Sequence, residues 1–152
     1  MKKAYSIIEN ALGCDFVVDL SASRGKGQVR VLQLTDPQMI DTTQIVDGTS
    51  LPSDDHISES EMKAWRAENF DCQCGNHIRS LVAQTNPDLI FITGDLVYGR
   101  YDNDGSALRW LASLLDSFCI PWAPVFGNHD NECRLGVNWQ CEQLERSRYC
   151  DT

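Results

Sequence analysis

The stretch from Pro87 to Asp95 constrains this chain most. Leu89, Ile90, Phe91 and Ile92 form an unbroken apolar run behind Pro87, and the run stops at Thr93-Gly94-Asp95. A short apolar run of this kind reads as a strand buried on both faces, as in a parallel sheet. Its exit in Gly-Asp sets a carboxylate just past the strand, at the sheet edge where open α/β folds bind ligands. Two further segments end alike. Val29 to Thr35 runs into Asp36, and Trp122 to Phe126 runs into Gly127-Asn128-His129-Asp130. Three strand ends therefore gather Asp36, Asp95, Asn128 and His129 at one edge.

Between these strands lie helical patterns. Ser58 and Glu61 offer a capping box for a helix reaching about Thr85, with Met62, Trp65, Cys74, Ile78, Leu81 and Val82 at mostly helical spacing and Gly75 as a break or kink. Asn86-Pro87 ends it. Asp102 and Asp104 cap the next helix, whose apolar positions are Leu108, Leu111, Leu115 and Phe118. A short helix over about Asn138 to Arg148 closes the chain. Strand and helix alternate, which implies an α/β domain with parallel strands and right-handed crossovers. At the N-terminus, Asp15 to Leu20 reads as a strand able to form a hairpin with the Val29 segment. Residues 1–28 thus make a strand or hairpin region, and 29–152 make the α/β domain.

Composition removes several function classes. The 152 residues and 42% hydrophobic content suit one folded domain. A net charge of −9 without a basic run excludes nucleic acid or anionic membrane as a partner held by bulk charge. No apolar stretch has membrane-spanning length, and no signal-peptide core follows Met1-Lys2-Lys3. The 7 cysteines are irregularly spaced. They read as reduced thiols of a cytoplasmic protein, and Cys72-Gln73-Cys74 alone is a poor zinc or redox signature.

The strand-end residues suit a two-cation site. Carboxylate and amide oxygens hold hard cations, and two cations about 3.5–4 Å apart can share a bridging carboxylate and clamp a phosphoryl group. Asp95, on the central strand, is the natural bridge. Asp36 would complete one metal and Asn128 the other. His129 would serve as general acid or stabilise the transition state. A lone Asp after a strand is more often a turn or cap residue, and the coincidence at three strand ends is what favours ligands here. His56 reads as solvated, His77 as an ordinary helix residue, and the acidic loop from Asp41 to Asp55 as a solvated loop.

The motifs Leu34-Thr35-Asp36-Pro37-Gln38, Gly94-Asp95 and Gly127-Asn128-His129-Asp130, in this order and at these distances, resemble those of the calcineurin-like metallophosphoesterase family. The resemblance runs from about Val29 to the C-terminus. It implies a sandwich of mixed β-sheets flanked by helices, here truncated to about its first half. It implies hydrolysis of a phosphate mono- or diester by two divalent or mixed-valence metal ions (manganese, iron or zinc), with Asp36, Asp95 and Asn128 as ligands and His129 as the catalytic residue. Where the family pattern has a histidine, this chain has Gln38. Tyr98 stands where the purple acid phosphatase branch has a metal-binding tyrosine, so Tyr98 or Gln38 would complete one metal. The later histidine motifs of the family are absent, which implies impaired activity. The alternative is a non-catalytic fragment, or half of a split protein that pairs with a separately encoded C-terminal half or with itself.

Overall fold

A computed structural model describes residues 6–7, 18–19, 28–44, 58, 60, 63 and 71–150. Two short strands, β1 (Ser6–Ile7) and β2 (Val18–Asp19), pair antiparallel. The domain proper is a three-stranded sheet of β3 (Val31–Leu34), β4 (Leu89–Thr93) and β5 (Trp122–Val125), in the order β3-β4-β5. Both pairings are parallel, with Val31 opposite Leu89 and Ile90 opposite Trp122. Asp95 therefore follows the central strand, and Asp36 and Asn128 follow its two neighbours, as the sequence predicts. Among the described residues the hairpin between the segments at 15–20 and 29–35 does not form. β2 pairs with β1, and β3 gives its hydrogen bonds to β4.

Helices α1 (Cys72–Thr85), α2 (Ser106–Ser117) and α3 (Gly136–Glu145) follow in turn. The break expected at Gly75 does not occur, since one helix runs from Cys72 to Thr85. Ser60 and Lys63 are helical, but Asp71 is not, and its side chain accepts the Cys74 N–H at 3.0 Å as the N-cap of α1. Gly75 instead sits inside α1 because a Cβ there would lie 2.5 Å from the Trp110 ring of α2. The other end matches the sequence reading: Asn86 takes a left-handed conformation, its N–H caps the Val82 carbonyl at 2.8 Å, and Pro87 follows. Glu61, and with it the capping box, lies outside the described residues.

The core forms on one face of the sheet. Ile90 and Ile92 pack in one cluster with Trp122, Ile78 and Val82 of α1, Leu108, Leu111 and Leu115 of α2, and Leu144 of α3. The other face is not buried. Phe91 is 40% exposed, Val31 51% and Val125 63%. The central strand is thus covered on one side only among the described residues, where its apolar run predicts burial on both. Hydrophobicity reports what a strand can bury against, and the helices that follow these strands all join the same side. Among the described residues no helix is long and apolar enough to cross a membrane, and Cys72, Cys74, Cys119, Cys133, Cys141 and Cys150 are not joined in disulfides.

Candidate functional site

The sheet edge that carries the motifs is built from strained backbone. Asp36, Gln38 and Asp95 have φ of 49°, 41° and 50°, and Gly94 lies between at 107°. Left-handed conformations at non-glycine residues cost about 1–3 kcal/mol each and cluster at functional sites. Here they turn the chain after β3 alongside the chain after β4. The Asp36 N–H donates to the Gly94 carbonyl at 3.2 Å, Gln38 to Asp95 at 2.9 Å and Met39 to Leu96 at 3.1 Å, and Tyr98 returns a bond to Met39 at 3.1 Å. Each side chain of the edge is thereby fixed at its root.

Asp95 is the hub. It is buried, with 6% of its surface exposed. Its Oδ1 accepts the His129 N–H at 2.9 Å, and its Oδ2 lies 3.5 Å from the Gln38 Nε2. β5 can approach this closely only because position 127 is glycine. A Cβ on Gly127 would overlap the Asp95 Oδ1 and sit 2.5 Å from the Asp95 backbone nitrogen. Asp36 is exposed, and its Oδ2 accepts from the Thr35 hydroxyl. Asn128 is exposed at the end of β5.

Asp130 has a role that the sequence reading missed. Its buried carboxylate bridges two strand ends, with Oδ1 on the Val97 N–H at 3.1 Å and Oδ2 on the Gly127 N–H at 2.7 Å. Burial pushes its pKa up, against the lowering by those N–H groups. The signal available in the sequence was local: a short carboxylate three residues past a glycine can close a turn on that glycine's N–H.

His129 and Tyr98 stand together. Their ring centroids are 4.6 Å apart, and Tyr98 also lies 5.2 Å from Tyr101. The His129 Nδ1 is 3.0 Å from the Glu132 Oε2. That hydrogen bond raises the His129 pKa above the ordinary histidine value, while burial opposes it. Gly99 completes the floor, since its N–H donates to the His129 carbonyl at 3.2 Å and a Cβ there would overlap that same oxygen.

The acidic loop after this edge behaves differently from the sequence reading. Asp41 is buried rather than solvated. Its oxygens accept from the Thr43 N–H and hydroxyl and from the Ser106 hydroxyl. Asp102 caps α2 through the N–H groups of Ala107 and Leu108, at 3.0 and 3.2 Å, and Asp104 accepts the Ser106 N–H at 2.8 Å. Asp47, Asp54, Asp55 and His56 lie outside the described residues. His77 is exposed on α1.

The donor chemistry of the strand-end set fits a hard cation: carboxylates from Asp36 and Asp95, and amides from Asn128 and Gln38. Histidine, cysteine and acidic side chains do not by themselves gather in threes at a metal position among the described residues. Any site here thus depends on the amides as well as on the two aspartates.

Comparison with known proteins agrees with this architecture. A stretch of 67 residues is 36% identical to "Probable inactive purple acid phosphatase 28" of Arabidopsis thaliana, covering 43% of this chain and 17% of that protein. A stretch of 53 residues is 42% identical to "Probable cyclic nucleotide phosphodiesterase" of Moraxella catarrhalis (strain BBH18), covering 35% of this chain and 18% of that one. The matched part of the chain thus spans less than a fifth of either relative. No solved structure matches. The profile of the calcineurin-like phosphoesterases matches residues 29–150, which include the three parallel strands and their ends, and the chain belongs to that generally metal-dependent family.

Proposed function

We propose that this chain carries part of a dinuclear metal site for hydrolysis of a phosphate mono- or diester. Asp95 would bridge the two metals, Asp36 would serve one and Asn128 the other, and Gln38 or Tyr98 would complete the first. Such ions, when bound, supply positive charge for the phosphoryl oxygens and lower the pKa of water. The chain's own part is to hold these donors still and to present His129 to the leaving-group oxygen. The observation that carries this reading is the run of left-handed residues at Asp36, Gln38 and Asp95, which holds two carboxylates at adjacent strand ends at a cost in backbone energy. Tyr98 packs its ring on His129, which favours an orienting role for it over that of a ligand. Gln38 already faces Asp95 and is the better candidate.

The sequence has three histidines, and the described site contains only His129. An oxygen-rich set of this kind binds transition metals more weakly than one with imidazoles, so we expect impaired turnover by these residues alone. The test is hydrolysis of p-nitrophenyl phosphate and bis-p-nitrophenyl phosphate by residues 1–152 with manganese, iron or zinc. Metal-dependent turnover that Asp95→Asn abolishes supports the reading, and turnover that survives this substitution refutes it.

A second reading has its own observation. The uncovered sheet face with Val31, Phe91 and Val125 fits a non-catalytic half that pairs with a C-terminal half or with itself. The word "inactive" in the name of the Arabidopsis relative accords with that reading. Sedimentation of residues 1–152 over a range of concentrations tests the self-pairing form of this reading, which a monomer at every concentration removes.

A further inference from the structure

The environment of His129 has a feature that the strand-end motifs do not account for. The 3₁₀ turn Asp130–Glu132 follows His129 directly. In such a turn the side chains at i and i+3 eclipse, so Glu132 comes back over His129. The resulting contact is 3.0 Å from Nδ1 to Oε2. The backbone of His129 is already fixed on both sides, its N–H on Asp95 at 2.9 Å and its carbonyl receiving the N–H groups of Gly99 and Glu132 at 3.2 and 3.1 Å. The Tyr98 ring packs beside it, tilted by 48°, with ring centroids 4.6 Å apart. The ring atom left without a partner among the described residues is Nε2.

We propose that Glu132 is a positioning residue for His129: by accepting the Nδ1–H it fixes the tautomer and the ring orientation, so that Nε2 is the atom offered to the site. The need for such a device is geometric. An imidazole has two nitrogens that can exchange roles, and the hydrogen bond made by one decides what the other presents. The proposal uses the function read above to say what Nε2 is for, but the tautomer itself requires no substrate.

The experiment is long-range proton–nitrogen correlation NMR on the full chain with ¹⁵N-histidine, at a pH where the ring is neutral. His129→Asn identifies the His129 signals among those of His56 and His77. The expected wild-type pattern is a protonated Nδ1 and a bare Nε2. Glu132→Gln retains an acceptor oxygen and keeps that pattern, whereas Glu132→Ala inverts it. A wild-type His129 protonated on Nε2, or a Glu132→Ala spectrum like wild type, overturns the proposal. Should Glu132→Ala not fold, the wild-type tautomer decides alone. With a nitrophenyl phosphate ester, Glu132→Ala should lower kcat by about 10- to 100-fold with little change in KM, and Glu132→Gln should restore most of it. If the tautomer is as expected and the wild type hydrolyses no ester, Glu132 still positions His129 and the functional reading is what fails.

Discussion

Two acidic clusters lie within a few residues of each other along this chain, and they have opposite characters. The first is the strand-end set of Asp36 and Asp95. The second joins Asp41 to Asp102 and Asp104 across the start of α2. In the second set the protein supplies the partners: Asp102 receives the Ala107 and Leu108 N–H groups and the Gln44 amide, and Asp41 receives Thr43 and Ser106. In the first set Asp95 has one good backbone donor and a long contact to Gln38, and Asp36 has its neighbour's hydroxyl. Carboxylate number is therefore a poor guide to a cation site, and the count of oxygen lone pairs left over is a better one. The closed cluster stabilises the fold. The open one stores strain and keeps its oxygens available.

The harshest way to break this contrast is to crowd the open cluster. Gly127→Ala would put a methyl into the Asp95 carboxylate. It should cost more than about 3 kcal/mol, as overpacking against backbone does at its worst. Urea unfolding measures it. A loss under about 1 kcal/mol would mean that the end of β5 moves freely and that Asp95 is not held as described.

Next in size is Asp102→Ala in the closed cluster. It leaves two N–H groups of α2 without their acceptor and takes one of two acceptors from the Gln44 amide, which keeps Ser106. The expected loss is about 2–3 kcal/mol of stability, with metal binding unchanged. Loss of metal binding in a folded Asp102→Ala protein, measured by calorimetry, would erase the distinction between the clusters.

Ser106→Ala is milder. Burial alone would raise the Asp41 pKa, but the bonds from Ser106, Thr43 and Gln44 outweigh it and the value lies below the ordinary 3.8. A carboxyl whose folded pKa is lowered contributes stability above its unfolded value and loses it as pH falls through the folded one. Ser106→Ala should thus cost about 1–2 kcal/mol at neutral pH. The gap from wild type should narrow below about pH 3.8 as Asp41 takes up its proton. A gap constant from neutral pH to acid would show that Ser106 acts through packing instead.

The contrast also shows what the sequence could disclose. Strand order and the placing of Asp36, Asp95 and Asn128 were legible because each apolar run ends in a polar turn and is followed by a helix. Capping by Asp102 and Asp104 was legible for the same local reason. The closure of Asp41 was not, because its key partner Ser106 is 65 residues away. Gly127 and Asp130 escaped likewise, since their roles are contacts made across strands. The exposure of Phe91 was hidden by a limit of hydrophobicity itself, which is the same whether a face meets its own helices or something else. The N-terminal pairing went wrong because turn residues after position 20 suggest a hairpin equally well in either direction, and β3 has a better partner in β4.

The smallest expected change in the fold is the sharpest probe of the open cluster. Asp36 is exposed, and its carboxylate is bonded only to its neighbour's hydroxyl among the hydrogen bonds described. Asp36→Asn preserves shape and should leave metal-free stability within about 0.5 kcal/mol of wild type. The difference should emerge with metal. A cation at 100 times its Kd stabilises the folded state by about 2.7 kcal/mol. If the charge of Asp36 supplies a 100-fold share of the affinity, the same concentration stabilises the variant by only about 0.4 kcal/mol. Thermal unfolding with and without manganese reads both numbers. Asp104→Asn, in the closed cluster, should retain the full manganese shift. Equal shifts for wild type and Asp36→Asn would remove Asp36 from the ligand set, and a shift lost in Asp104→Asn alone would move the cation to the cluster that the protein's own donors fill.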